Sequence, residues 1–313
     1  MLNLIRNEWL KLWSKKATWV MVVLVALLMI GFAGINKWIN NQPESRVDWK
    51  LSSQENISSL EGQLAIPGLT KEQKKQFKET IEVEKYRLER NVAPIDFDEE
   101  KSFISNIPGM LSIITLFTVV VAAGIVASEF SQGTIKMLLT RPVKRWRILT
   151  SKLITVGIFA VLMTVVLFIV GVISGYIFFD SIGGKELEVV NGQIVVVSFW
   201  GRLLLLTGLS LINVFVIGTL AFMIGSVFRS SSLAIGISIF LMFMGVTITS
   251  VLARFDFAKY ILFANTNLTQ YIGENHPLIA GLTMPFSIMV ILVYVIAFLV
   301  VSYWSFIKRD VTA

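Results

Sequence analysis

The sequence predicts an all-α polytopic membrane protein with six transmembrane helices, an amphipathic interfacial helix at the N-terminus and an extracytoplasmic helical hairpin. Hydrophobic residues make up 55% of the 313 positions and charged residues only 16%, which is more apolar surface than a soluble domain of this length can bury. Six apolar runs are long enough to cross a hydrocarbon core of roughly 30 Å. We place these runs at residues 19–38, 107–127, 153–179, 203–228, 233–252 and 284–306.

The distribution of charges predicts the side of the membrane that each loop occupies. With the N-terminus in the cytoplasm, residues 1–18, 128–152, Arg229 and the tail 307–313 together carry 13 Lys or Arg residues and 3 acidic residues. Short cytoplasmic loops have such an excess of Lys and Arg, so both termini are predicted to be cytoplasmic. The net charge of +7 follows from this bias and suits anionic lipid head groups, and we expect no nucleic-acid partner.

Residues 1–18 have the pattern of a helix that lies flat on the cytoplasmic leaflet of the lipid bilayer. Apolar side chains recur at helical spacing and include two tryptophans one turn apart, Trp9 and Trp13, while the basic side chains fall elsewhere. Tryptophan is enriched where lipid head groups meet the hydrocarbon. We therefore expect Trp9 and Trp13 to anchor this helix at the membrane surface.

Residues 39–106 form a polar segment between the first two spans, which the topology places outside the cytoplasm. Apolar residues at helical spacing on either side of Pro67-Gly68 predict two helices, and a capping box at Thr70 and Gln73 begins the second. The narrow apolar stripes indicate a hairpin that packs on itself or on a partner chain, and a solvated spacer is the alternative. We expect residues 44–101 to gate or recognise cargo without building the membrane fold.

A second outer segment, residues 253–282, is too apolar for a free loop and too interrupted for a full span. Its aromatic residues suit a re-entrant or interfacial helix. Such a helix is tolerated at membrane depth only where protein or a water-filled cavity covers its backbone ends. The sequence therefore predicts that this segment lies near the mouth of a pathway.

A polar insert at residues 128–152 separates the second and third spans. Gly133 is expected to end one helix, Thr134 to cap a short new helix, and Arg141-Pro142 to end that helix. This short helix would expose an apolar knob, which is more apolar surface than a loop in water should expose. The knob therefore indicates a docking site for another protein. The residues of the knob are Ile135, Met137, Leu138 and Leu139.

The second half of the insert returns the chain to the membrane. Trp146 and Arg147 are expected at the level of the head groups, where they anchor the start of the third span. Glu129 is the only acidic residue of the insert, and we expect it to form a structural ion pair with a neighbouring arginine. No ionisable residue lies well inside a predicted span.

At the insert, the chain resembles the type-2 permeases of ATP-binding-cassette (ABC) transporters, of the bacterial exporter type. These permeases carry a glutamate, a Gly-Thr pair, an apolar patch, a proline and a basic stretch between their second and third spans. The residues that match are Glu129, Gly133, Thr134, Pro142, Arg145 and Lys152. The resemblance extends to the six spans, the N-terminal helix and the broken outer helix, whereas the large outer hairpin departs from the compact members.

The resemblance implies that the short helix is a coupling helix, seated in a groove of a separate ABC ATPase subunit. The sequence contains no G-x-x-x-x-G-K-[ST] loop, so we expect ATP and Mg²⁺ in the partner and no cofactor in this chain. A second permease chain, identical or related, would complete the pathway in the plasma membrane of a bacterium. Spans lined by apolar and hydroxyl groups favour hydrophobic or amphipathic cargo, such as a peptide antibiotic or drug, and hence a role in antibiotic resistance.

Other classes of function fit the residues less well. An intramembrane enzyme needs catalytic polar groups inside its spans, and the sequence has neither these nor an H-E-x-x-H motif, so we assign no catalytic or metal-binding residue. An ion-coupled carrier would usually show internal repeats and buried charges near the midplane. An ion-extruding ABC permease and a non-transporting sensor or anchor built around the outer hairpin stay as alternatives.

Overall fold

The computed structural model describes residues 1–41, 48–65, 71–133, 143–190, 192–228, 230–273, 277, 279 and 281–308. Its helices are α1 (Leu2–Trp13), α2 (Lys16–Asn40), α3 (Trp49–Leu64), α4 (Lys71–Arg90), α5 (Glu99–Ser105), α6 (Ile107–Ser131), α7 (Arg145–Phe178), α8 (Phe199–Val227), α9 (Ser231–Leu252), α10 (Leu262–Asn265) and α11 (Met284–Lys308). Two strands, β1 (Glu186–Val190) and β2 (Gln193–Val197), lie between α7 and α8. Short 3-10 helices cover Ile95–Phe97, Asp256–Tyr260 and Leu268–Tyr271.

Within the described ranges, six helical segments are long and apolar enough to cross a membrane, which confirms the predicted all-α polytopic fold. They are α2, α5 together with α6, α7, α8, α9 and α11. Most of the helices extend past the predicted apolar runs, and the longest described helix is α7, whose 34 residues begin at Arg145. At 1.5 Å per residue α7 is about 51 Å long, well beyond a hydrocarbon core. Glu129 and Lys152, predicted to lie in the insert, are therefore parts of α6 and α7.

The first of two compact units comprises Met1–Ala26, Pro108–Leu167 and Leu206–Ala313. Its core contains a close approach of α6 and α8, where a side chain at Gly225 would collide with the backbone of Ala123. Two turns earlier in α8, a side chain at Gly218 would meet Thr118. Small residues at such positions let helix backbones approach closely in membrane proteins, where van der Waals packing drives helix association.

The segment at 253–282 belongs to this first unit and, as predicted, does not form a full span in its described part. The Asn265 amide donates to the carbonyls of Lys259 and Ile261, both at 2.8 Å, and its oxygen accepts from the Ser287 hydroxyl at 2.6 Å. The ring of Phe263 lies directly against Gly245 of α9. The Asn265 side chain thus satisfies two carbonyls of this irregular backbone, which a segment placed at membrane depth would require. Its place at a pathway mouth stays a prediction.

The second unit comprises Leu27–Ile107 and Phe168–Leu205 and contains the predicted helical hairpin. Helices α3 and α4 pack against each other, and an ion pair of 2.9 Å joins Lys85 Nζ to Glu61 Oε1 across them. The hairpin therefore packs on itself. Of the predicted capping box, Gln73 lies in the first turn of α4, whereas Thr70 is outside the described residues. The extracytoplasmic position of the hairpin stays a prediction.

A β-hairpin in this unit was not predicted, because residues 153–306 were assigned to helices and the re-entrant segment alone. Strands β1 and β2 pair antiparallel, with Glu186 opposite Val197. Arg202 pairs with both Glu186, at 2.9 Å, and Glu188 on one face of the hairpin. Burial raises the pKa of Glu186, and Arg202 opposes that effect.

The end of residues 44–101 packs against another part of the second unit, and the expectation that this range does not build the membrane fold stays a prediction. Asp98 is fully buried, and its carboxylate accepts hydrogen bonds from the backbone N–H of Gly184 at 2.8 Å and from Ser181 at 3.0 Å. Lys101 Nζ donates to the carbonyl of Gly184 at 2.7 Å. The end of the segment thus fixes the loop that follows α7, because a polar connection packed this tightly needs partners for its backbone groups.

Candidate functional site

The candidate site is a buried cluster of charges at the ends of the polar insert. We call it the charge cluster and define it as Glu8, Lys11, Glu129 and Lys152. Glu8 and Lys11 lie on α1, Glu129 lies in the last turn of α6, and Lys152 lies two turns into α7. Three elements that are far apart in sequence therefore converge on one point of the first unit.

Lys152 is the centre of the charge cluster. Its ammonium lies 2.7 Å from Glu8 Oε2 and 3.0 Å from Glu129 Oε1, and the residue is only 1% exposed. Lys11 lies on the outside, with a side chain 54% exposed, 3.1 Å from Glu129 Oε1 and 3.7 Å from Glu8 Oε1. Two carboxylates and two ammonium groups make the cluster neutral as a whole, which burial of charge requires.

Local sequence explains why these side chains point inward. On α1, Glu8 and Leu12 are one turn apart and are the two buried residues of the helix. On α7, Lys152 is surrounded in sequence by buried positions such as Ile148, Leu149 and Thr155. Apolar packing around α1 and α7 thus draws both charges out of water, and the ion pairs offset the cost of that desolvation.

The start of α7 is held from a second side. The guanidinium of Arg145 donates to the carbonyl of Ile307 at 3.0 Å, and the hydroxyls of Thr150 and Tyr303 are 2.7 Å apart. Both contacts tie the first turns of α7 to the end of α11. The segment that leaves the insert is therefore fastened to α1, α6 and α11.

The predicted anchoring residues form aromatic contacts at the same end of the unit. The rings of Trp9 and Trp13 have centroids 5.5 Å apart, and Trp13 and Trp19 are 5.0 Å apart, both edge to face. The Trp19 indole donates to the carbonyl of Trp13 at 3.1 Å, which closes the turn between α1 and α2. Arg147 lies 5.4 Å from the ring centroid of Trp146. These contacts are compatible with head-group anchoring, which stays a prediction.

The structure describes only part of the predicted docking site. Helix α6 ends at Ser131 and Gly133 has a φ of +70°, so the predicted helix end at Gly133 is confirmed. The other predicted docking residues lie outside the described residues: Thr134, Ile135, Met137, Leu138, Leu139, Arg141 and Pro142. Their coupling role stays a prediction.

Sequence reasoning placed Glu129 in the site but missed its partners. It expected an arginine, whereas the structure pairs Glu129 with Lys152 and Lys11. A signal was present, because Glu8 is the only acidic residue among residues 1–18 and Glu129 is the only one in the insert. A lone acid in a basic segment indicates a specific partner. Within the described part of the chain, no group of His, Cys, Asp and Glu side chains is arranged to hold a metal ion.

The comparisons with known proteins give a family and two bacterial relatives. Residues 85–312 match a family model described as "Protein of unknown function (DUF2705)". The chain is 41% identical to the Uncharacterized protein YhcI of Bacillus subtilis (strain 168) over 318 residues, which cover 99% of each chain. It is 32% identical to the Uncharacterized membrane protein YdbK of the same strain over 213 residues, which cover 67% of this chain and 82% of the relative.

Proposed function

Because the chain belongs to the DUF2705 family of proteins of unknown function, we propose its function from the site: it is the membrane-spanning permease subunit of an ABC exporter. A separate ATPase subunit drives it, and a second permease chain completes the translocation pathway. The cargo is hydrophobic or amphipathic, of the chemical class of a peptide antibiotic or drug. The complex lies in the bacterial plasma membrane, with both termini of this chain in the cytoplasm.

The charge cluster is the observation that carries this proposal. An ATPase that pulls on a cytoplasmic helix can move transmembrane helices only if the ends of that helix are rigidly joined to them. Glu129 and Lys152, which lie at the two ends of the insert, are 3.0 Å apart at their charged atoms and are buried with Glu8. A displacement of the insert would thus be passed to α1, α6 and α7 together.

The first prediction concerns the ATPase partner. When the tagged chain is purified from the membranes of its native host, ATP hydrolysis should copurify with it. Changing Met137→Asp and Leu138→Asp should remove that activity, because an unpaired carboxylate placed in an apolar groove costs more than a neutral polar group, for which the cost is about 2–7 kcal/mol. The measurement is ATP hydrolysis per permease in detergent.

A matched control is Val195→Asp with Val196→Asp, since both valines are about half exposed on β2. This variant should copurify with the same ATP hydrolysis as the unchanged chain. If the Met137 and Leu138 variant inserts normally and keeps its ATP hydrolysis, the docking assignment is wrong. If the unchanged chain has no ATPase partner at all, the exporter function is wrong.

The second prediction concerns stoichiometry. Six spans form half of a pathway of this kind, so the assembled complex should contain two permease chains, identical or related. Native mass measurement of the complex, extracted in mild detergent, would count them. A single permease chain in a complex that still hydrolyses ATP would contradict the prediction.

A further inference from the structure

The second unit contains a groove that the coupling mechanism does not use. It has a volume of about 570 Å³ and lies along α4, with α3 and β2 as its other walls. Sites that bind drug-sized molecules have volumes of about 300–1,000 Å³. Its apolar lining residues are Leu64, Ile81, Tyr86 and Ile194, and its charged ones are Glu61, Lys78, Glu82, Lys85 and Glu89.

The floor of the groove is apolar and comes from all three elements. Ile81 of α4 is 8% exposed, while Leu64 of α3, Tyr86 of α4 and Ile194 of β2 are half-buried. These side chains present carbon surface to whatever occupies the groove. A purely ionic ligand would leave this carbon surface exposed to water. The ligand therefore needs an apolar face that covers it.

The rim of the groove is acidic once its internal pairs are taken into account. Lys85 is neutralised by Glu61 at 2.9 Å. Glu82 and Glu89 are exposed and have no ion-pair or hydrogen-bond partner within the part of the chain that the structure describes. They are seven residues apart on one face of α4, a rise of about 10.5 Å. Lys78, whose ammonium has no ion-pair partner among the described residues, lies beside them.

We propose that this groove binds an amphipathic cationic peptide in helical form, and that it is the initial recognition site for cargo. A helix with Lys or Arg seven residues apart and leucines between them would match both features of the groove. Its cations would face Glu82 and Glu89 at the same spacing, and its apolar stripe would cover the floor. An anionic amphiphile, such as a fatty acid, would face the two carboxylates of Glu82 and Glu89 and the one ammonium of Lys78. Its negative charge would therefore be repelled on balance.

The role in cargo recognition rests on the proposed export function, but binding can be measured without ATP or any partner. The full chain is placed in nanodiscs of zwitterionic phosphatidylcholine. The probe is a fluorescein-labelled Leu/Lys helix of roughly 14 residues, two repeats of the seven-residue spacing. Fluorescence anisotropy gives its Kd after subtraction of binding to empty nanodiscs.

The unchanged chain should bind the Leu/Lys peptide, and Glu82→Gln with Glu89→Gln should weaken binding about tenfold or more. A matched control, Glu55→Gln with Glu79→Gln, removes the same charge away from the groove and should change Kd by less than about twofold. The reversed variant, Glu82→Lys with Glu89→Lys, should prefer a Leu/Glu peptide. This reversal separates recognition from general damage to the fold.

Three results would overturn the proposal. The first is equal binding of the Leu/Lys peptide by the unchanged chain and the Glu82 and Glu89 variant. The second is equal binding of a Leu/Gln peptide, which would make the carboxylates irrelevant. The third is full displacement of the peptide by spermine, which would make the apolar floor irrelevant. If the peptide binds but no ATP hydrolysis copurifies with the chain from its native host, the groove is upheld and the exporter function is contradicted, so the two proposals fail separately.

Discussion

Replacing Lys152 with methionine should destabilise the protein by about 3–5 kcal/mol, because the change removes one partner of a buried ion pair and leaves the other charged. The carboxylates of Glu8 and Glu129 would then lie in the interior beside the half-exposed Lys11. Methionine is close to lysine in length and apolar, so loss of packing contributes little. The measurement is the thermal unfolding of the purified chain in detergent, together with the amount inserted in the membrane.

The matched control for this variant is Lys11→Met, which removes the same charge from the solvent-exposed side of the charge cluster. A half-exposed ion pair contributes about 1 kcal/mol or less, so this variant should melt close to the unchanged chain. A triple variant, Lys152→Met with Glu8→Gln and Glu129→Gln, should recover much of the stability because it leaves no buried charge. Equal melting of the two lysine variants would show that the cluster does not join α1, α6 and α7.

The coarse fold could be predicted from sequence because its signals are local. Each span is a contiguous apolar run, and the hairpin follows from two periodic helices on either side of Pro67-Gly68. The end of α6 followed from one residue, Gly133, whose φ of +70° suits glycine. The β-hairpin had a local signal too, since Asn191-Gly192 separates two runs rich in Val and Ile, a strong sequence signature for a two-residue hairpin turn.

The charge cluster and the groove could not be predicted in the same way. Lys152 and Glu8 are 144 positions apart, and no periodic pattern links residues over such a distance. Lys152 directly precedes the predicted apolar run 153–179, so hydropathy places it at the end of a loop. In the structure α7 already begins at Arg145, and Lys152 is buried. The groove needs three elements side by side, one of them the β-hairpin that was not predicted.

Asp98 provides the second large effect, and it shows how the end of the helical hairpin contributes to the fold. It is the N-cap of α5, where its carboxylate accepts from the backbone N–H of Lys101 at 3.3 Å. The same carboxylate accepts from Ser181 and from the backbone of Gly184. Gly184 suits this contact because a side chain there would collide with the Cβ of Asp98. One buried side chain thus satisfies donors from two separate segments.

Changing Asp98→Ala should lower the free energy of unfolding by about 2–4 kcal/mol. Loss of the cap contributes about 1 kcal/mol, and the buried Gly184 amide, left without an acceptor, adds about 1–3 kcal/mol. The exposed Ser181 hydroxyl adds little because it can bond to water instead. Asp48→Ala is the matched control. Asp48 is also an N-cap, of α3, but it is exposed, and among the described residues its side chain accepts from Lys50 alone, at 3.0 Å. That control should lose about 1 kcal/mol, the effect of a cap alone. Thermal unfolding of both variants in detergent measures the difference. If Asp98→Ala loses no more stability than Asp48→Ala, the connection after α7 is held by other contacts.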